Sequence, residues 1–209
     1  MKHIIKSFII GLAVIFFTLN TIFAQQRSSR PQILTYQESQ NAVQALKRSY
    51  TIVDQCGDYN LFVVAGKTNS GKAIRKVVNR SGVEVIPDTR DYDSINFEDE
   101  NGYEYFKVRF GSYYGVCNLD GKEIISPNNR ISFIYFSQEE GYIGYFKVEA
   151  KYGDNYYDGA YDIYGKEIIK PILFKKIFFD EGRFWSSENG EYLPLIYGLN
   201  RKGQGITLE

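Results

Sequence analysis

The stretch "VCNLDGKEIISP", Val116 to Pro127, decides the fold. An apolar pair leads into Asn118, two residues intervene, Gly121 follows, and Ile124-Ile125 then runs into Pro127. An Asn side chain accepts a hydrogen bond from the backbone two residues on, the next two residues fill a type I turn, and the glycine takes the left-handed conformation that starts a bulge. The β-branched pair begins a return strand, and the proline ends it by withholding an N–H from the ladder. The stretch is a β-hairpin.

The same plan recurs along the chain. "VVNRSGVEVIP" (Val77 to Pro87) and "AYDIYGKEIIKP" (Ala160 to Pro171) repeat it, and "LNRKGQGIT" (Leu199 to Thr207) is a shorter copy. The turn residues are Asn79 and Gly82, Asn118 and Gly121, Asp162 and Gly165, and Asn200 and Gly203, with the glycines 39, 44 and 38 residues apart. A second shared element precedes each hairpin: "YFKV" at Tyr105 to Val108 and at Tyr145 to Val148, "LFVV" at Leu61 to Val64 and "RFW" at Arg183 to Trp185. Alternation places Phe106, Val108 and Phe110 on an inward face, repeated by Phe146, Val148 and Ala150, and turns Tyr105, Lys107 and Arg109 outward. A lone hairpin cannot bury its apolar face, whereas stacked neighbours make a continuous core. The expected fold is mainly β, an array of about four β-hairpin repeats over residues 50–209. One short N-terminal helix is expected in residues 25–49 and just beyond, because "YQESQNAVQALKRSY" (Tyr36 to Tyr50) sets Tyr36, Val43, Leu46 and Tyr50 on one face. Its expected role is to cover the edge of the first hairpin.

The unit "YYGVCNLDGKEIISP", Tyr113 to Pro127, resembles the bacterial WG repeat, whose pattern is Trp-Gly, an apolar pair, Asp or Asn, two residues, Gly-Lys and an apolar pair ending near Pro. The resemblance spans about residues 60–205 by register. Tyr114-Gly115 stands where the family has Trp-Gly, Asp158-Gly159 and Arg75-Lys76 fill that slot in two other copies, and the last copy is one residue short. The resemblance implies a β-repeat scaffold in an exported or surface protein and is tied to no single activity.

Residues 1–24 read as a secretory signal peptide: Lys2 and Lys6 precede the uncharged run "FIIGLAVIFF" (Phe8 to Phe17), which is short for a membrane anchor, and cleavage is expected after Ala24. The mature protein is then expected to be periplasmic, secreted or surface-associated, with no membrane span. Cleavage removes His3, the single histidine, and two lysines, leaving 23 basic residues against 25 acidic ones. A balanced chain with no basic tract offers no footprint for nucleic acid.

"LFVVAGKTNSGKAI" (Leu61 to Ile74) has the glycine–lysine spacing of a phosphate-binding loop, but Ala73 stands where such a loop needs Ser or Thr, and strand and turn follow instead of a helix. No nucleotide is expected there. Without a mature histidine the Ser-His and Cys-His schemes are excluded, and two cysteines do not make a zinc site. Cys56 and Cys117 are either one disulfide or two small buried residues. The acids of "DTRDYDSINFEDENG" (Asp88, Asp91, Asp93, Glu98, Asp99 and Glu100) read as a solvated loop, with a carboxylate pair acting on envelope polysaccharide as the competing reading.

Eighteen tyrosines concentrate in the middle units. Tyr103, Tyr105, Tyr145, Tyr156 and Tyr157 are the candidate surface aromatics; the alternative is that tyrosine simply suits half-buried strands. Trp185 reads as core. The expected function is that of an exported, non-enzymatic scaffold without a cofactor, presenting a tyrosine-rich surface to a protein or glycan partner, or serving as a subunit of a surface assembly.

Overall fold

The four turns form as their residues require. In a computed structural model that describes residues 31–67, 71–188 and 191–208, the expected signal peptide and the leader up to residue 30 lie outside the described residues. Asn79 Oδ1 accepts from the N–H groups of Ser81 and Val83, at 2.9 and 3.0 Å. Asp162 Oδ1 does the same for Tyr164 and Lys166, Asn200 Oδ1 for Lys202 and Gln204, and Asn118 Oδ1 accepts from Lys122 N. The glycines have φ of 79°, 77°, 87° and 71° in chain order. Asp162 also acts beyond its own turn, because its Oδ2 accepts from Gly205 N at 3.1 Å and so ties the third turn to the last strand. An Asn there would set an NH₂ donor against that N–H or against the turn amides.

Each hairpin is the second half of a larger unit. Sheet 1 contains β1 (Ile52–Gln55), β2 (Phe62–Lys67), β3 (Ala73–Val78) and β4 (Glu84–Ile86). Sheet 2 contains β5 (Ser94–Glu100), β6 (Tyr103–Phe110), β7 (Tyr113–Cys117) and β8 (Glu123–Ile125). Sheet 3 contains β9 (Ile131–Ser137), β10 (Tyr145–Tyr152), β11 (Asn155–Tyr161) and β12 (Glu167–Phe174). Sheet 4 contains β13 (Ile177–Asp180), β14 (Arg183–Glu188), β15 (Glu191–Leu199) and β16 (Gly205–Thr207). All four are antiparallel meanders in sequence order. The fold is mainly β with hairpin repeats, as the repeats predict, and one α-helix among the described residues.

The sheets pack face to face in chain order. One core joins sheets 1 and 2 through Leu61, Val63, Val77, Ile95, Phe106 and Val108. A second joins sheets 2 and 3 through Tyr105, Val116, Ile125, Ile134, Phe136 and Phe146. A third joins sheets 3 and 4 through Tyr145, Ala160, Ile169, Ile177, Phe184 and Leu195. Among the described residues no buried cluster joins sheet 4 back to sheet 1. The free face of sheet 1 (Phe62, Val64 and Val78) is covered by Leu34 and by Ala42 and Leu46 of α1 (Tyr36–Leu46). Thr35 and Glu38 start that helix with a reciprocal capping box.

Several expectations are corrected by this stacking. Tyr105 and Tyr145 alternate with Phe106 and Phe146 as predicted, yet they are 0% and 3% exposed, because a sheet inside the stack has a neighbour on both faces. Tyr103 is half-buried and stacks on Phe136 with ring centroids 4.2 Å apart. Phe110, expected inward, is 47% exposed at the strand end. Helix α1 ends at Leu46, short of Tyr50, and covers a face instead of an edge; its buried positions are Ser39, Ala42 and Leu46, while Tyr36 at the first helical position is exposed. Pro171 does not end its strand, which runs on to Phe174. Its ring instead packs where a Cβ on Gly159 would come within 2.8 Å, and Pro127 stands in the same relation to Gly115 at 2.7 Å. Cys56 and Cys117 are not bridged: both are free thiols in the core between sheets 1 and 2. Burial pushes their pKa values up to about 12 and about 11.

The turn glycines also hold the repeats together. A Cβ on Gly121 would overlap the Val85 carbonyl oxygen of sheet 1, and one on Gly165 the Ile124 carbonyl oxygen of sheet 2; around Gly82, which has no repeat before it, the space is open. Gly82→Ala therefore costs only the left-handed backbone strain, about 1 kcal/mol, whereas Gly165→Ala adds the clash and costs about 3 kcal/mol. Urea unfolding of the two variants measures the difference.

Buried phenols set an alkaline limit on the fold. Burial raises Tyr103 and Tyr145 to about 12, and Tyr105 and Tyr161 also upward, from an ordinary value of 10.0. A folded-state pKa above the unfolded one stabilises the fold fully below the unfolded value, and that stability is lost as pH rises from about 10 toward about 12. The urea midpoint is expected to hold from neutral pH to about 9 and to fall steeply above 10, with the buried tyrosines ionising together with unfolding in an absorbance titration.

Candidate interaction surface

Strand alternation on β10 decides which residues of sheet 3 can reach a partner. Phe146, Val148 and Ala150 face sheet 2, so Tyr145, Lys147, Glu149 and Lys151 face the side on which sheet 4 packs. The register brings Tyr135 beside Lys147, Phe133 beside Glu149 and Tyr156 beside Lys151. Sheet 4 covers only the upper part of this face. Its start is fixed by a half-buried ion pair, Lys147 Nζ to Asp158 Oδ2 at 2.9 Å, whose two members also bond Ile177 O and Ile177 N, at 2.8 and 3.0 Å.

Beyond that pin the face is open. Phe133 is 55% and Tyr156 48% exposed. The Phe133 and Tyr135 rings meet edge to face at 5.8 Å, and Lys151 Nζ lies 5.4 Å from the Tyr156 ring centroid. The result is a ledge of three aromatic rings with Glu149 and Lys151 set among them. Such a surface offers apolar area, ring faces and both signs of charge on rigid strands.

Of the five tyrosines expected on the surface, only Tyr156 belongs to this ledge. Tyr157 points to the opposite face, half-buried, with its ring 6.0 Å from that of Tyr152. Tyr105 and Tyr145 are interior, and Tyr103 is half-buried against Phe136. Phe133, Tyr135, Glu149 and Lys151 are not singled out by the sequence. "ISFIYFS" (Ile131–Ser137) is nearly continuous in apolar residues, so alternation alone does not show which ones face out.

The acidic segment is strand as much as loop. Glu98, Asp99 and Glu100 lie on β5, and the side chains of this segment are engaged in the structure. Glu98 pairs with Lys107 at 3.1 Å, Asp99 accepts from Gly102 N at 3.1 Å, Glu100 accepts from Phe136 N at 2.5 Å and Asp93 accepts from Gly111 N at 2.5 Å. Asp91 pairs with Lys72 at 3.4 Å, and the Asp88 side chain is outside the described residues. Glu100 joins sheet 2 to the edge of sheet 3. Among the described residues, no group of three or more His, Cys, Asp or Glu is placed to hold a metal ion.

The glycine–lysine stretch of Leu61 to Ile74 is strand β2, a tip and strand β3, so no helix N-terminus is presented to a phosphate. A shallow cavity of about 700 Å³ opens beside it, lined by Thr51, Lys67, Arg75, Asp91 and Asp93 among others. Cations and carboxylates share its walls, which gives it no single charge preference. No described helix is long and apolar enough to cross a membrane. No protein-family model matches the chain, and no curated protein or solved structure matches it either.

Proposed function

We propose that this protein is an exported β-repeat scaffold of the WG-repeat kind that catalyses no reaction and binds a protein or glycan partner of the cell envelope or exterior. The observation that carries the proposal is the ledge on sheet 3. Phe133, Tyr135 and Tyr156 are large aromatic side chains held on paired strands and left partly uncovered, although the same chain buries Tyr105, Tyr145 and Tyr161 between sheets. Rigid exposed aromatics lose little conformational entropy on binding and are the residue types that dominate interface energetics. Repeat arrays present such surfaces without needing a deep pocket.

The competing reading, hydrolysis of envelope polysaccharide by a carboxylate pair in residues 88–100, needs two acids free to meet a substrate. The bonds made by Asp93, Glu98, Asp99 and Glu100 to Gly111, Lys107, Gly102 and Phe136 speak against it.

The test uses the full chain, immobilised and challenged separately with solubilised envelope proteins and with insoluble cell-wall glycan. Retention of one protein or one glycan is expected, with affinity reduced at least tenfold, about 1.4 kcal/mol, in a Phe133→Ala, Tyr156→Ala variant that keeps the wild-type urea midpoint. Release of soluble sugar from the glycan would overturn the non-enzymatic reading, and retention unaffected by the double substitution would remove the ledge from it.

A further inference from the structure

The two ends of the stack are finished differently. At one end α1 covers the free face of sheet 1. At the other, no described element packs over the outer face of sheet 4, where the strands place mostly apolar side chains, Phe178, Trp185 and Ile206 among them half-buried. The register sets Phe178 beside Trp185, and Trp185 beside Pro194, on the face opposite Phe184 and Leu195. Phe178 and Trp185 lie parallel, with centroids 6.4 Å apart, and Tyr192 meets Phe178 edge-on at 5.1 Å. Ile196 continues the face on β15 and Ile206 on β16, while Leu208 lies over Gly198. Tyr192 is 65% and Ile196 59% exposed.

We propose that this face is a self-association surface on which a second copy of the chain seats its own fourth sheet about a two-fold axis. Three observations select that occupant. The first is continuity with the junctions inside the chain. The face that a helix covers is lined by Phe62, Val64 and Val78 and has no ladder of rings, whereas two of the three junctions between sheets carry ring clusters: Tyr103, Tyr105, Phe136 and Phe146 at one, Tyr145, Phe179 and Phe184 at the next. The Phe178, Trp185 and Tyr192 set is of the second kind, so it fits a sheet.

The second observation is charge. Among the described residues, the only charged side chains that the strands place on this face are Asp180 and Arg183, paired in register and opposite in sign, so a copy of the face meets no net repulsion. The third is the division of the face into an aromatic part, Phe178, Trp185 and Tyr192, and an aliphatic part, Ile196 of β15 and Ile206 of β16. A two-fold operation lays the aromatic part of each copy on the aliphatic part of the other, which is the self-complementarity an isologous interface requires.

Sedimentation equilibrium of the full chain from about 1 to about 100 µM tests the proposal, in the range where a modest interface becomes visible. The expected result is a monomer–dimer equilibrium that stops at twice the chain mass. Ile196→Glu, at an exposed position with no role in the core, is expected to weaken dimerisation at least a hundredfold without changing the far-ultraviolet circular dichroism. The ledge variant Phe133→Ala, Tyr156→Ala is expected to dimerise as wild type, which separates this surface from the partner-binding one. A monomer at every concentration, growth past the dimer, or a dimer indifferent to Ile196→Glu would each overturn the proposal.

Discussion

The array depends on a backbone contact: the turn of one repeat resting on the return strand of the repeat before it. Gly121 against Val85 and Gly165 against Ile124 leave no room for a Cβ, and the same glycines hold the positive φ that closes their own turns. One residue thus serves a local and a long-range requirement at once. The spacing between repeats follows from it, because a turn that sits on the preceding carbonyl fixes the distance at which the two sheets can face each other. The third turn is bound forward as well, through Asp162 to Gly205 of the last strand.

Once sheets are held at that distance, side chains from both must fill the gap. This accounts for the tyrosines. In three of them the ring spans toward the neighbouring sheet and its hydroxyl reaches a partner. Tyr92 donates to Glu123 at 2.5 Å, Tyr161 to Glu167 at 2.9 Å and Tyr103 to the Ile163 carbonyl at 3.3 Å. Glu123 and Glu167 are the acids of the repeated Gly-Lys-Glu sequence, so that part of the motif supplies acceptors for buried phenols. Each of these three rings contributes about 2 kcal/mol, with the hydroxyl bond sparing it the cost of an unpaired polar group.

The turns and hairpins are legible in the sequence because their chemistry is local. Asn79, Asn118, Asp162, Asn200 and their glycines each specify one backbone conformation, and the structure adopts it. What lies between the hairpins is harder to read. The first strand of each sheet carries a weak signal, most plainly β5, where Glu98, Asp99 and Glu100 hide the alternation of Ile95 and Phe97 behind charge. The orientation of Tyr105 escapes the sequence for a different reason. Alternation tells which residues share a face, but whether that face meets water or another sheet depends on how the repeats stack, which no single repeat encodes. The ledge is hidden for the same reason, since Phe133 and Tyr135 are outward only because sheet 4 stops short of them.

Within each sheet every strand pairs with its neighbours in sequence, and among the described residues each buried junction between sheets joins consecutive ones. Contacts of that kind close short loops, so a chain extruded from its N-terminal end can add one sheet at a time onto a seed of α1 and sheet 1. At each stage the newest sheet leaves a ring-bearing face without a neighbour, Tyr105 after the second and Tyr145 after the third. Proteolytic trimming after the second or third repeat, or synthesis halted there, therefore yields a shorter array that still ends in a ring-bearing face. The number of repeats can change while the manner in which the molecule ends does not.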